Sequence, residues 1–246
     1  MSINPSQLRS AVFASIVVAL CLPLTMSGQK RRLPTGGRLA VVVEEHLSAL
    51  RVAPSLSAKL IERLSRGRFV AILARSSTPD GLTFYRVRIS RRRTGWVQSE
   101  ALISAAQRGD DHRLLRLIRS SEDFELIARA RIFLEAFPDS TLRPAVLLLY
   151  GDTAEGLCEK LSREAGRRLD QKEMAATGAP EFSYFLNYNA LDRYNRQNAQ
   201  FVFDRYRKQF HYDGAAWREI VRRYPNSPEA IEARKHLETL ASLARN

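Results

Sequence analysis

The sequence predicts an α+β chain in two parts: a small β-barrel over residues 38–104, then an all-α helical domain over residues 105–246 carrying a short β-hairpin insertion. Three observations carry this. Apolar residues recur at period two in short runs between turn residues up to Ser104, and at a period near 3.6 after it. Charge divides at the same place: residues 38–104 hold twelve Arg or Lys against five Asp or Glu, whereas residues 105–246 hold 23 against 21. The chain has 246 residues, 45% of them hydrophobic, enough for one large or two small domains with a core.

The N-terminus reads as a signal peptide over residues 1–27, followed by a linker over 28–37. Arg9 supplies a modest positive start, Ala11 to Leu22 is apolar, and Thr25-Met26-Ser27 offers small residues for cleavage. The apolar stretch is shorter than the roughly 20 residues that span a bilayer. An uncleaved membrane anchor is the rival, because Lys30-Arg31-Arg32 follows directly. The expected location is periplasmic or otherwise extracytoplasmic, with membrane contact only through this segment. Cleavage leaves Cys158 as the single cysteine, so no internal disulfide is expected. Its place on an apolar helical stripe with Leu157 and Leu161 reads as a small buried hydrophobe.

The barrel reading rests on short runs. Leu39 to Val43 comes first, then Leu60-Ile61, then Phe69 to Leu73 after Gly67. Pro79-Asp80-Gly81 is a turn, Phe84 to Ile89 a further strand, and Trp96-Val97 closes the series. Several of these residues form motifs. Leu50-Arg51-Val52-Ala53-Pro54-Ser55 is followed by Leu64 and Gly67, then by Tyr85-Arg86-Val87, then by Gly95-Trp96-Val97 with Leu102. Order and spacing resemble bacterial SH3 domains over about 65 residues, with Val52-Ala53 standing where that family has Ser-Gly. The resemblance implies an SH3-like barrel that binds rather than catalyses. Such domains commonly sit in cell-envelope proteins, where some recognise peptidoglycan peptides and others only mediate assembly.

Strand alternation puts Tyr85, Val87 and Ile89 on one face and Arg86 and Arg88 on the other. Arg66 and Arg68 flank Gly67, and Arg91-Arg92-Arg93 form a turn tip. If these segments are neighbours, seven arginines gather on one side, and guanidinium forks suit carboxylate and phosphate. The candidate ligand-binding residues are Arg66, Arg68, Tyr85, Arg86, Arg88, Arg92 and Trp96. The plain alternative is a solvated basic surface in a chain with 33 arginines and 6 lysines, with Trp96 a core or rim residue.

In the helical domain, Leu114, Leu117 and Ile118 mark a first helix. Phe124 to Phe137 marks a second, with Ser120 as its cap and Pro138 as its stop. A third runs from about Arg143 to Leu169, where small Gly151 and Ala154 suit close helix packing. Phe133-Leu134-Glu135-Ala136-Phe137-Pro138-Asp139-Ser140 returns as Ile220-Val221-Arg222-Arg223-Tyr224-Pro225-Asn226-Ser227. Pro blocks continuation of the first helix of each joint, and Ser227 and Pro228 can start the next. This joint is similar to the tetratricopeptide-like repeats of bacterial envelope proteins. The offset of 87 residues, against a usual repeat of about 34, predicts a compact helical domain rather than a regular superhelix.

Between the two joints, Met174 to Pro180 reads as a linker, and Phe201-Val202-Phe203 with Phe210-His211-Tyr212 as two strands of a hairpin. Asp213 caps a final helix pair. The cluster Asn187, Tyr188, Asn189, Tyr194 and Asn195 reads either as a peptide- or glycan-binding groove or as internal packing, with packing favoured.

No catalytic or cofactor motif emerges. The histidines 46, 112, 211 and 236 are scattered without metal-site spacing, and neither a phosphate loop nor a nucleophile elbow occurs. The expectation is therefore not an enzyme, with no cofactor and no metal. It is an exported cell-envelope binding or scaffold protein, whose barrel takes peptidoglycan or another anionic envelope component and whose helices take a protein partner. The alternatives are a nucleic-acid-binding module that uses the basic barrel, which export disfavours, and a structural subunit whose barrel has no ligand.

Overall fold

A computed structural model describes residues 37–243. The expected signal peptide and the linker up to residue 36 lie outside the described residues. The N-terminal part is a seven-stranded antiparallel sheet: β1 (Arg38–Val42), β2 (Ala49–Arg51), β3 (Leu60–Arg63), β4 (Phe69–Ser77), β5 (Thr83–Ser90), β6 (Arg93–Gln98) and β7 (Leu102–Ile103). Its order is β3-β2-β6-β5-β4-β1-β7. No ladder joins β3 to β7, so the sheet is open where a closed barrel was expected.

Both faces of this sheet are used, and strand alternation decides which residue serves which. Ala40, Val42, Val70, Ile72, Val87, Ile89, Val97 and Leu102 fill a core inside the sheet, with Leu50 and Leu64. Their neighbours Val41, Val43 and Ile103 point the other way, into the core of the helical part. One end of the sheet's outer face is thus covered by helices, and the two parts share apolar packing.

A polar seam reinforces this junction. The Arg129 guanidinium is buried; it donates to the Val43 carbonyl (3.4 Å), to Ser121 Oγ and to Glu44 Oε2 (2.7 Å). Arg66 donates to the same carbonyl through Nε (3.4 Å) and pairs with Glu125 at 2.6 Å. Burial raises the Glu44 pKa, but hydrogen bonds from His46 and the charge of Arg129 outweigh it and hold the carboxyl below its ordinary 4.5. A depressed carboxylate contributes stability above its unfolded pKa and loses it as pH falls through the folded value. Glu44→Gln is therefore expected to lower the melting temperature at pH 7, with the difference from wild type shrinking as pH falls below 4.5 and lost once the depressed carboxyl is protonated. A difference that does not shrink on acidification would rule out the ionised seam.

The helical part contains α1 (Asp110–Arg119), α2 (Asp123–Ala136), α3 (Arg143–Arg168), α4 (Gln171–Thr177), α5 (Glu181–Leu186), α6 (Ala190–Asn195), a hairpin of β8 (Phe201–Asp204) and β9 (Gln209–Tyr212), α7 (Ala215–Arg223) and α8 (Pro228–Leu243). The two repeated joints are the α2–α3 and α7–α8 turns. The central α3 packs against α2, α7, α8 and β9. Buried Arg143, at its first position, ties three helices together by donating to the Leu134 carbonyl (2.7 Å) and to Glu219 (2.9 Å).

The segment between the joints folds back onto α3. Ser162 Oγ and Glu155 Oε2 on α3 accept the backbone amides of Phe210 and Tyr212, both at 2.8 Å. Phe203 stacks on Phe185 at 4.4 Å, which fixes the hairpin on α5.

Three local expectations are corrected. Ser120 does not cap α2: its amide bonds to the Arg116 carbonyl, and it closes α1 instead. The stretch from Met174 is not a plain linker, because α4 runs through Thr177, capped at its start by the Asp170 carboxylate and ended by Gly178 at φ +70°. Pro228 does open α8, but the Ser227 hydroxyl is buried without a hydrogen-bond partner among the described residues.

Candidate anion-binding face

Register, not sequence proximity, assembles the most suggestive group of side chains. Trp96 on β6 lies directly opposite Arg51 on β2 and directly opposite Arg86 on β5, and Arg86 in turn faces Ala74 on β4. Directly paired residues share a sheet face. With strands about 4.8 Å apart, the two arginine backbones sit roughly 10 Å from each other, one on each side of the indole. Trp96 is half-buried and belongs to neither core cluster. Arg86 is exposed and has no carboxylate at ion-pair distance among the described residues, while Arg51 is steadied by donating Nη1 to the Ala58 carbonyl at 2.7 Å.

Gly95 makes this row possible. A Cβ there would meet the Leu50 side chain at 2.7 Å and the Arg51 carbonyl at 2.8 Å, so only glycine lets β6 lie this close to β2. Ala74 leaves the end of the row low. Arg88, opposite Thr94 and Ala71, extends the same face along β5.

The other predicted residues scatter. Arg66 is drawn into the seam with α2, its side chain only 10% exposed, and takes no place on this face. Arg68 (3.8 Å) and Arg93 (2.9 Å) both approach Glu62 on β3. Arg92 is exposed in the β5–β6 turn. Tyr85 lies on the inner face with Val87 and packs against the sheet core. Seven arginines therefore do not gather on one side. Arg86 and Arg88 do, beside Trp96. Arg51 joins them through the β2–β6 pairing, a contact between strands about 45 residues apart that local spacing does not reveal.

Tyr85 instead lines a cleft of about 130 Å³ with Arg38, Ser104, Asp110 and Arg113, where the sheet meets α1. Burial pushes the Asp110 carboxyl above its ordinary range, against the opposing hydrogen bond from the Ser104 amide (2.8 Å) and the charge of Arg113. Arg113 is spent on the Glu100 and Leu102 carbonyls. These groups join structure rather than await a ligand.

Elsewhere the chemistry is quiet. Among the described residues no group of three or more His, Cys, Asp or Glu is arranged to hold a metal, and no helix is long and apolar enough to cross a membrane. The Cys158 thiol is buried, donates to the Ala154 carbonyl at 3.3 Å, and is pushed far up by burial, the opposite of a reactive thiolate. Tyr188 and Tyr194 are buried; Tyr194 meets Phe124 and Phe201 edge-on, as packing rather than an open groove requires. Comparison with protein-family models, with curated proteins and with solved structures finds no match to this chain.

Proposed function

We propose that this chain is an exported, non-enzymatic binding or scaffold protein of the cell envelope. Its sheet, open between β3 and β7, serves as an SH3-like module that takes peptidoglycan or another anionic envelope polymer, and its helices act as a tetratricopeptide-like support for a protein partner. The row Arg51–Trp96–Arg86 carries the reading. An indole flanked by two arginines, one of them held by the Ala58 carbonyl, suits a ligand that bears carboxylates, and nothing in the row offers a nucleophile or a general base. The family motifs support the barrel reading by where they fall: Arg86 and Trp96 both belong to them, and Gly67 makes its turn into β4 at φ +75°. The α2–α3 and α7–α8 joints support the repeat reading.

The full chain is expected to pellet with purified peptidoglycan at low salt, and Arg86→Glu combined with Trp96→Ala is expected to reduce the pelleted fraction at least tenfold. Complete recovery of the wild type in the supernatant would remove the barrel's part in this function. Tighter retention on a single-stranded oligonucleotide than on peptidoglycan would favour the nucleic-acid reading.

A further inference from the structure

Among the described residues the sheet has one bare edge. At its other end, β7 is two residues long, and both are buried beside α1. At this end β3 pairs, among the described residues, only with β2, so every second backbone amide and carbonyl of β3 has no strand partner there. Exposed edges of this kind are templates for another strand, and natural proteins usually blunt them with charge or cover.

Here the edge carries both apolar and basic residues, with a bulge at Ile61. Among the described residues, Val52 (56%), Leu56 (51%), Leu60 (45%) and Ile61 (39%) are exposed large hydrophobics within ten residues of each other. Lys59 and Arg63 frame the strand, both exposed and both without a carboxylate at ion-pair distance among the described residues. The acid on this strand, Glu62, is already engaged by Arg93 and Arg68. The free charge along the edge is positive; a bulge at Ile61 sets Leu60 and Arg63 on the face of Arg51, and Lys59 on the other.

The geometry points to strand addition on β3 by an extended acidic segment of a partner protein that also carries apolar side chains. Backbone pairing supplies the register, Leu60 and Ile61 supply apolar contact, and Lys59 and Arg63 take the carboxylates. A second copy of this chain fits less well. Both copies would present the same basic edge, and each chain carries a net charge of +13. The inference uses the backbone edge and stands independently of the Arg51–Trp96–Arg86 row.

The test uses the full chain and a fluorescein-labelled octapeptide, Val-Glu-Glu-Val repeated twice so that carboxylates lie on both faces, read by fluorescence anisotropy at low salt. Saturable binding is expected. Methylating alternate peptide nitrogens should weaken it at least tenfold, because these groups carry the pairing and the protein is untouched. Lys59→Glu with Arg63→Glu should weaken it comparably, with an unchanged far-ultraviolet circular dichroism spectrum. The idea fails if the octapeptide does not bind, or if the methylated peptide binds equally well, which would leave only charge attraction. It also fails if sedimentation shows the protein pairing with itself through this edge, lost in Ile61→Lys.

Discussion

Arg129→Leu is expected to destabilise the protein by about 3 kcal/mol, the lower end of what removing one partner of a buried ion pair costs. The guanidinium is 11% exposed, and it serves the Val43 carbonyl, Ser121 and Glu44 at once. Leucine refills part of the volume but returns none of the donors. The Val43 carbonyl keeps a donor in Arg66, and Glu44 is partly open to water, which holds the cost at the lower end. The reading is the urea midpoint of Arg129→Leu against wild type. The double variant with Glu44→Gln should lose less than the sum of the single variants, because both remove the same interaction. A change within about 0.5 kcal/mol, the usual range of an inert surface position, would show that the seam does not hold the sheet to the helices.

Trp217→Ala should cost more, about 3–5 kcal/mol, as large aromatic truncations in cores do. The side chain is 1% exposed and sits where α3, α7, α8 and the hairpin meet. It stacks on His236 of α8 at 4.4 Å and 9°, meets Tyr212 of β9 edge-on at 5.3 Å, and donates Nε1 to Asp152 of α3 at 3.0 Å. Burial already pushes the Asp152 carboxyl above its ordinary range, and the indole hydrogen bond opposes that shift. Trp217→Phe should recover much of the packing but not this bond, and so fall between wild type and alanine. Gly151 sets the complementary limit: a Cβ there would lie 2.5 Å from Trp217 Nε1, so Gly151→Val is destabilising from the opposite side of the same contact. Denaturation midpoints of the three variants check this. A Trp217→Ala protein as stable as wild type would mean that the helices do not depend on this wedge.

Much of this was legible along the chain because it depends on local spacing. Period-two and period-3.6 runs located the longer strands and helices and the hairpin at Phe201 and Phe210, but not the short β2 and β7 or α4 to α6. The alternation of Tyr85, Val87 and Ile89 against Arg86 and Arg88 assigned the two faces of β5 correctly. Small Gly151 and Ala154 announced a close helix neighbour without naming it. Local signals misled where two uses compete. Ser120 can cap one helix or close another, and only the actual chain reversal at Ser120–Glu122 decided it.

What sequence alone determined is therefore the kind of chain: a basic strand-rich part, a nearly neutral helical part, and which residues are apolar on which face. Partners across the sheet were decided by the tertiary structure. Arg51 comes opposite Trp96 only through the register of β2 on β6, and Arg66 leaves its expected face because Glu125 on α2 offers a carboxylate 2.6 Å away. Charge and hydrophobicity are properties of residues, whereas an ion pair or a bare edge is a property of what the fold brings, or fails to bring, alongside.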